Sequence, residues 1–376
     1  MINDKIFVCL PDFSGGGAEK VIISLIKALS PDYQVTCVAL SDNGPLYAQL
    51  PQNCQFLNVN RASARQSFLP LLQIFRTRKP DVVITTIAYF NFIIMFALLL
   101  SGHRPRRVIL REANTPASTL KALGVRWLGV CLYRVLYNRA SAVICNSEQV
   151  QGELADAGVK RESIKIIPNP VDGDALSHLA KKKITLPEFG DAALPLFVSV
   201  GRLTKQKGME RLIKWVAAMR INANLIIIGS GEQRENLLSI IRRDRLEKRV
   251  KLIDFQDNPF PYMAAANAVV LGSHWEGLPN VGLEALALGK TVIATGECGG
   301  LVGMKFRYII DDLIIAKTAD QFIAEMDQVA KKQTPSKAGP NHGMPAYNPK
   351  IATSSLPAEF DIETVISQYK TTIFGL

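Results

Sequence analysis

Glu276 and Glu284 stand eight residues apart in SHWEGLPNVGLEALALGK, residues 273–290, separated by Gly277, a Leu278-Pro279-Asn280 corner and an apolar run. A carboxylate offers two acceptor oxygens, enough to take both vicinal hydroxyls of a ribose at once. The stretches AVVLGS, HWEGLPN and VGLEALAL read as strand, loop and helix, with Asn280 as the N-cap and Gly289 ending the helix. Glu276 then falls on a loop at the carboxyl end of a strand, and Glu284 in the first helical turn. The free N–H groups of the loop, with Glu276, remain for a phosphate and for the hydroxyls of a second sugar. Paired glutamates at this spacing are common by chance, so the weight rests on their placement after a strand.

Cations and glycines fall at matching positions elsewhere. LFVSVGRLTKQKGMERLIKWV runs from a strand through Gly201, Arg202, Lys205, Lys207 and Gly208 into a helix. Arg202 and Lys207 beside a helix N-terminus form an anion site able to neutralise a diphosphate, whereas Lys205 reads as a solvated lysine. Near the N-terminus, KIFVCL leads to Gly15, Gly16 and Gly17 and then an amphipathic helix. Glycines there let backbone N–H groups approach a phosphate, or simply make a tight turn. The spacing is neither GxGxxG nor GxxxxGK[ST], which weakens dinucleotide and P-loop readings. Gly229, Ser230 and Gly231 repeat the idea less specifically. Together these groups suit a nucleotide-diphospho-sugar.

The elements that must position them are short apolar strands alternating with helices. Six strand candidates (KIFVCL, QVTCVAL, DVVITT, RVILRE, SAVICNS, IKIIPNP) precede VDGDALSHLAKKKITLPEFGDAALP, and five (LFVSVG, NLIIIGSG, VKLIDF, AVVLGS, TVIAT) follow it. Unbroken apolar strands between helices mean parallel sheets covered on both faces. The expected fold is α/β: two doubly wound, Rossmann-like domains facing across a cleft, with ligands at the carboxyl ends of the strands. The turn-rich stretch is expected to link a domain over 1–180 to one over 190–330. An irregular tail over 331–357 precedes a helix over 358–376 that is expected to return to the first domain.

At 376 residues, 48% hydrophobic and 20% charged, the chain has a globular composition. Six cysteines without a CxxC pair read as free thiols of a reducing compartment, and four histidines offer no metal spacing. The N-terminus lacks the order of a signal peptide, so a cytoplasmic protein is expected. Net charge is +11, and 13 Lys+Arg against Asp81 and Glu112 between Arg61 and Arg139 place that excess in one segment. Such a block fits an anionic surface of lipid or nucleic acid, or a solubilising face. Within it VVITTIAYFNFIIMFALLLSG, 21 residues without a charge, has the length of a membrane span. Its β-branched start, followed by Tyr89 and Asn91, reads better as a buried strand and a very apolar helix. Arg104, Arg106, Arg107 and Arg111 follow, expected at headgroup depth if that helix lies against a bilayer.

In these motifs, taken in order (SGGGAE, ICNSEQV, IPNPVD, VGRLTKQKG, IIGSGE and HWEGLPNVGLEALALGK), the chain resembles the family 4 retaining glycosyltransferases of the GT-B fold over about residues 5 to 296. The resemblance implies a metal-independent transferase that takes a UDP- or GDP-sugar, UDP favoured, and needs no cofactor. Gly16 and Gly17 would approach the diphosphate or sugar. Arg202 and Lys207 would stabilise the leaving diphosphate, Glu276 would contact the donor sugar and Glu284 the ribose, with Gly277, Leu278, Pro279 and Asn280 completing the donor loop. REANTP resembles the acceptor-side stretch of members that build bacterial surface polysaccharides, which implicates Arg111 and Glu112. The implied acceptor is lipid-linked or membrane-associated, and the implied location is the inner face of the cell membrane.

GECGGLVGMKFRYII departs from the turn and charged helix usual in the family, and His103 is a poor match for its first-domain histidine. Asp172-Gly173-Asp174 matches a DxD metal motif formally but falls on the NPVD corner, so no metal is expected. Two rival readings are a sugar-nucleotide epimerase of similar fold and a nucleic-acid-binding protein using the basic block. The second lacks interleaved aromatics and a known binding module.

Overall fold

A computed structural model describes residues 4–61, 63, 65–124, 126–332 and 353–375, so most of the expected irregular tail, residues 333–352, lies outside the described residues. The chain divides into two compact units, Met1–Pro170 with Ile362–Leu376, and Val171–Asp361.

The first unit runs β1 (Lys5–Leu10), α1 (Gly17–Leu29), β2 (Gln34–Ala39), β3 (Gln55–Asn58), α2 (Phe68–Arg78), β4 (Val82–Thr86) and α3 (Ala88–Ser101). It continues through β5 (Arg107–Glu112), α4 (Pro116–Leu123), α5 (Arg126–Leu136), β6 (Ala142–Cys145), α6 (Glu148–Asp156) and β7 (Ile164–Ile166). The second unit runs α7 (Gly173–Ala180), β8 (Leu196–Val200), α8 (Met209–Ala218), β9 (Asn224–Ile228), α9 (Arg234–Arg243), β10 (Val250–Ile253) and α10 (Phe260–Ala265). It closes with β11 (Ala268–Leu271), α11 (Asn280–Ala287), β12 (Thr291–Thr295), α12 (Gly299–Arg307), β13 (Leu313–Ala316) and α13 (Ala319–Lys332). Helix α14 (Ile362–Phe374) belongs to the first unit.

Sheet order is β3-β2-β1-β4-β5-β6-β7 in the first unit and β10-β9-β8-β11-β12-β13 in the second, with parallel pairing throughout. Each unit is doubly wound. In β1, Ile6, Val8 and Leu10 face α1 and α14, while Phe7 and Cys9 face the layer of α2, α3 and α5. Burial on both faces is why such strands read as continuous apolar runs. Helix α1 buries Val21, Ile22, Ile23, Leu25, Ile26 and Leu29, each contributing roughly 1.5–3 kcal/mol.

Two strands beyond the expected eleven appear, both at sheet edges. Strand β3 (QFLN) is half-exposed and polar at both ends, and β13 (LIIA) is only half-buried at its two central residues, so neither has the two-sided burial of a central strand. The uncharged 21-residue run resolves into β4 and α3, and no described helix is long and apolar enough to cross a membrane.

The expected boundary at 180 is corrected to Pro170/Val171. The turn-rich stretch is not a free linker: Leu176 and Ala180 of α7 pack with Val198, Ile226 and Met263, and Ile184, Leu186 and Phe189 lie against the same core. Its polar residues hid this because only a few apolar positions touch the core. Helix α14 packs in the first unit through Val365, Tyr369 and Ile373, with Phe374 stacked on Tyr33 at 4.4 Å.

Candidate active site

The second unit reverses strand order at β8/β11, where an open parallel sheet binds ligands at its carboxyl ends. Three loops meet there through glycines. A Cβ on Gly208 (φ +61°) would lie 1.9 Å from the Gly272 carbonyl oxygen, one on Gly229 2.0 Å from that of Gly201, and one on Gly231 2.6 Å from that of Leu203. The loops after β8, β9 and β11 are therefore in backbone-to-backbone contact. Replacing Gly208 by alanine combines the clash with a left-handed conformation costing about 1–2 kcal/mol for an L-residue. A lowered melting temperature is expected, and an unchanged one would contradict this packing.

The contact brings Lys207 onto Glu276. Lys207 sits in a short 3-10 turn, Lys205–Lys207, ahead of α8. Its Nζ donates to Glu276 Oε1, which also accepts from Ser273 Oγ at 3.2 Å. Glu276 is buried at 8% exposure, while Arg202, on the same β8–α8 loop as Lys207, is exposed. The Glu276 loop is tied on both sides: the His274 N–H donates to the Gln206 carbonyl at 2.8 Å, Gln206 Nε2 donates to the Trp275 carbonyl at 3.0 Å, and the Glu276 N–H donates to the Glu297 carbonyl at 3.1 Å. The Gly300 N–H donates to the Gly277 carbonyl, and a Cβ on Gly300 would press on Leu278. Gly277, Leu278 and Pro279 are buried and Asn280 half-buried.

Two local expectations are corrected. Asn280 is the first residue of α11 and Pro279 occupies the cap without a side-chain bond, because the proline's fixed φ already suits the turn. Glu284 therefore lies in the second turn rather than the first, buried at 9% exposure.

In the first unit, Gly16 caps α1, Gly17 opens it exposed, and Gly15 takes φ +89°. Glu19 is held close by, since a Cβ on Gly16 would lie 2.3 Å from its Oε2. Arg111 and Glu112 end β5 and point to opposite faces. Arg111, at 1% exposure, donates to Tyr369 Oη (2.9 Å), Asn169 Oδ1 (2.7 Å) and Thr86 Oγ1 (3.4 Å) beside α14. Its expected place at headgroup depth is thus corrected: the guanidinium is inside the unit. Glu112, fully buried, accepts from Tyr137 Oη at 2.7 Å and Tyr133 Oη at 3.3 Å. Burial pushes its pKa up to about 7, against the lowering effect of both tyrosines, the Asn114 N–H and the Arg111 charge.

Asp172 serves as the N-cap of α7, accepting from the Ala175 N–H at 2.9 Å. His103 makes a 2.7 Å bond to the Pro80 carbonyl. Ile87, at the carboxyl end of β4, holds φ +72°, a real outlier for a β-branched residue. Nothing in the sequence marks it.

Residues 189–340 match the family model described as Glycosyl transferases group 1, and residues 15–175 match Glycosyltransferase Family 4. The O-antigen biosynthesis glycosyltransferase WclY of Escherichia coli is 30% identical over 74% of this chain and 76% of its own length. The N-acetylgalactosamine-N,N'-diacetylbacillosaminyl-diphospho-undecaprenol 4-alpha-N-acetylgalactosaminyltransferase of Campylobacter jejuni is 26% identical over 79% of this chain and 82% of its own length. A glycosyltransferase of Methanocaldococcus jannaschii is 32% identical over 60% of this chain, a match spanning 58% of that protein. In fold, HepE of Anabaena, solved with UDP and glucose, superposes with a TM-score of 0.75 at 20% identity, covering 99% of this chain and 100% of HepE. With its two parallel sheets and these matches across both units, the chain belongs to the family 4 glycosyltransferases of the GT-B fold.

Proposed function

We propose that the protein transfers a sugar, with retention of anomeric configuration, from a nucleotide-diphospho-sugar to a lipid-linked or membrane-associated glycan during synthesis of a bacterial surface polysaccharide. The observation that carries the reading is the contact of Lys207 with Glu276 among the glycine-packed loops at the β8/β11 switch point. Lys207 and the exposed Arg202 neutralise the leaving diphosphate in place of a metal, Glu276 orients the donor sugar and Glu284 holds the ribose. The bond from the anomeric carbon to the phosphate oxygen breaks as the acceptor hydroxyl attacks from the same face, and its proton passes to the leaving phosphate. The names of the WclY and Campylobacter relatives, O-antigen and a diphospho-undecaprenol acceptor, support the acceptor class. HepE with UDP and glucose supports a UDP-sugar donor.

Calorimetry with UDP tests the donor half. Wild type is expected to bind, and Glu284→Ala to lose two charge-assisted hydrogen bonds of roughly 1.5–3 kcal/mol each. Equal affinity in the two proteins would remove Glu284 from the site.

The acceptor half implies contact with a bilayer, on the inner face of the cell membrane. The helical layer of α2, α3 and α5 exposes Leu69, Tyr89, Phe96, Leu99, Leu100, Trp127, Leu128 and Val135. Arg76, Arg78, Arg104, Arg126, Arg134 and Arg139 are exposed around them. Each basic residue near an anionic surface contributes about 1 kcal/mol, an attraction that salt screens. Sedimentation with phosphatidylserine-containing vesicles is expected to capture the protein at low salt and to release it as salt rises. No capture at low salt would leave this face as ordinary surface.

A further inference from the structure

We propose that Arg211 and Glu297 form a positioning pair that sets the Glu276 loop against Lys207. This deepens the donor-site reading and rests on it. Arg211 lies in the first turn of α8, the helix that follows the Arg202–Lys207 loop. Its Nη1 donates to the carbonyls of Gly272 at 3.3 Å and Ser273 at 3.2 Å, the residues that lead from β11 to Glu276. Its Nη2 donates to Glu297 Oε1 at 3.0 Å, and its guanidinium lies 5.5 Å from the Trp215 ring centroid.

One planar cation therefore joins three segments that have no covalent connection nearby: the start of α8, the end of β11, and the turn after β12. The third segment in turn fixes the backbone around Glu276. The Glu297 carbonyl accepts the Glu276 N–H, Glu276 and Cys298 form a parallel bridge, and the Gly277 carbonyl accepts the Gly300 N–H. Thr295 Oγ1 adds a 2.8 Å bond to the Ser273 carbonyl. The Glu276 carboxylate, aimed at Lys207 and Ser273, is the end of this chain of fixed groups.

Only a forked guanidinium reaches two carbonyls and a carboxylate at once, and lysine, a point charge, does not reproduce it. The charge state of the pair fits the role. Burial works to raise the Glu297 carboxyl, but the hydrogen bond from Arg211, with other bonds and the Arg211 charge, holds it below the usual carboxylate range. The pair is thus ionised at neutral pH. Glu297 lies in GECGG, the turn that follows β12.

The test uses the full-length protein with Arg211→Met, Arg211→Glu, Glu297→Arg and the swapped pair Arg211→Glu/Glu297→Arg. Amide exchange in the ligand-free protein reads loop order directly. Exchange over residues 273–278 is expected to accelerate at least tenfold in Arg211→Met, with β8 and β9 unchanged, and to recover partly in the swapped pair. On the UDP-sugar that wild type turns over, kcat is expected to fall about tenfold in Arg211→Met with KM altered less than threefold. Unchanged exchange over 273–278 overturns the proposal whatever the ligand. So does a rise in KM with kcat intact. Absence of UDP binding by wild type sinks the donor-site reading alone, because the exchange result still decides the positioning role.

Discussion

Replacing Lys207 by alanine is expected to lower kcat by about 10²–10³-fold with little change in the KM for donor, the loss that follows when one preorganised charge donor is removed from a developing oxyanion. Two physical effects add. Charge builds on the leaving diphosphate only as the anomeric bond breaks, so the ammonium acts mainly in the transition state. Its removal also leaves the buried Glu276 carboxylate with Ser273 Oγ but without its cation. Lys207→Ala/Glu276→Gln separates the two, since relative to Glu276→Gln alone it removes Lys207 with no buried charge left to strand. Initial rates over a range of donor concentrations check the prediction. A Lys207→Ala enzyme with wild-type kcat would mean that Lys207 faces no reacting phosphate.

The second large effect is on stability. The first unit is expected to lose roughly 3 kcal/mol between about pH 4.5 and pH 7, at about 1.4 kcal/mol per pH unit, through Glu112. Burial raises the Glu112 pKa from 4.5 to about 7. Between those values the folded chain holds a proton that the unfolded chain releases, so the folded state binds more protons and stability falls as pH rises. The contribution is complete below the unfolded value and gone above the folded one. The groups facing Glu112 are Tyr133, Tyr137, the Asn114 N–H and Cys145, with the Arg111 charge nearby and Asn91 bonded behind Tyr137. The burial-raised Tyr133, Tyr137 and Cys145 do not titrate in this window. Glu112→Gln keeps an acceptor for both tyrosines and removes the titration, so its denaturation midpoints at pH 5 and pH 8 should lie closer together than those of wild type. Equal pH dependence in the two proteins would contradict a proton on Glu112.

Much of the candidate site's layout was legible because its elements are local. Glycines whose missing Cβ lets a neighbouring carbonyl approach, the Arg202-to-Lys207 spacing and the Glu-Gly-Leu-Pro-Asn loop each sit at the end of an apolar strand, and a strand followed by a helix fixes where a loop points. The paired sheets followed from the same apolar runs. What stayed hidden depended on distant residues. Arg211 and Glu297 look like ordinary surface charges, and only the fold brings them 3.0 Å apart. Arg111 and Glu112 stood out only through the acceptor-side resemblance of REANTP, yet strand alternation sends them to opposite faces and into the interior. The edge strands β3 and β13 lacked the two-sided burial that makes a strand readable, and α7 carries too few apolar contacts to declare its unit in advance.

A crystal structure of the protein grown in EDTA and soaked with UDP would show directly where the diphosphate and ribose bind. The diphosphate is expected within hydrogen-bonding distance of Arg202 and Lys207, with the ribose hydroxyls on the Glu284 carboxylate. A diphosphate bound elsewhere, or a ribose turned away from Glu284, would contradict it.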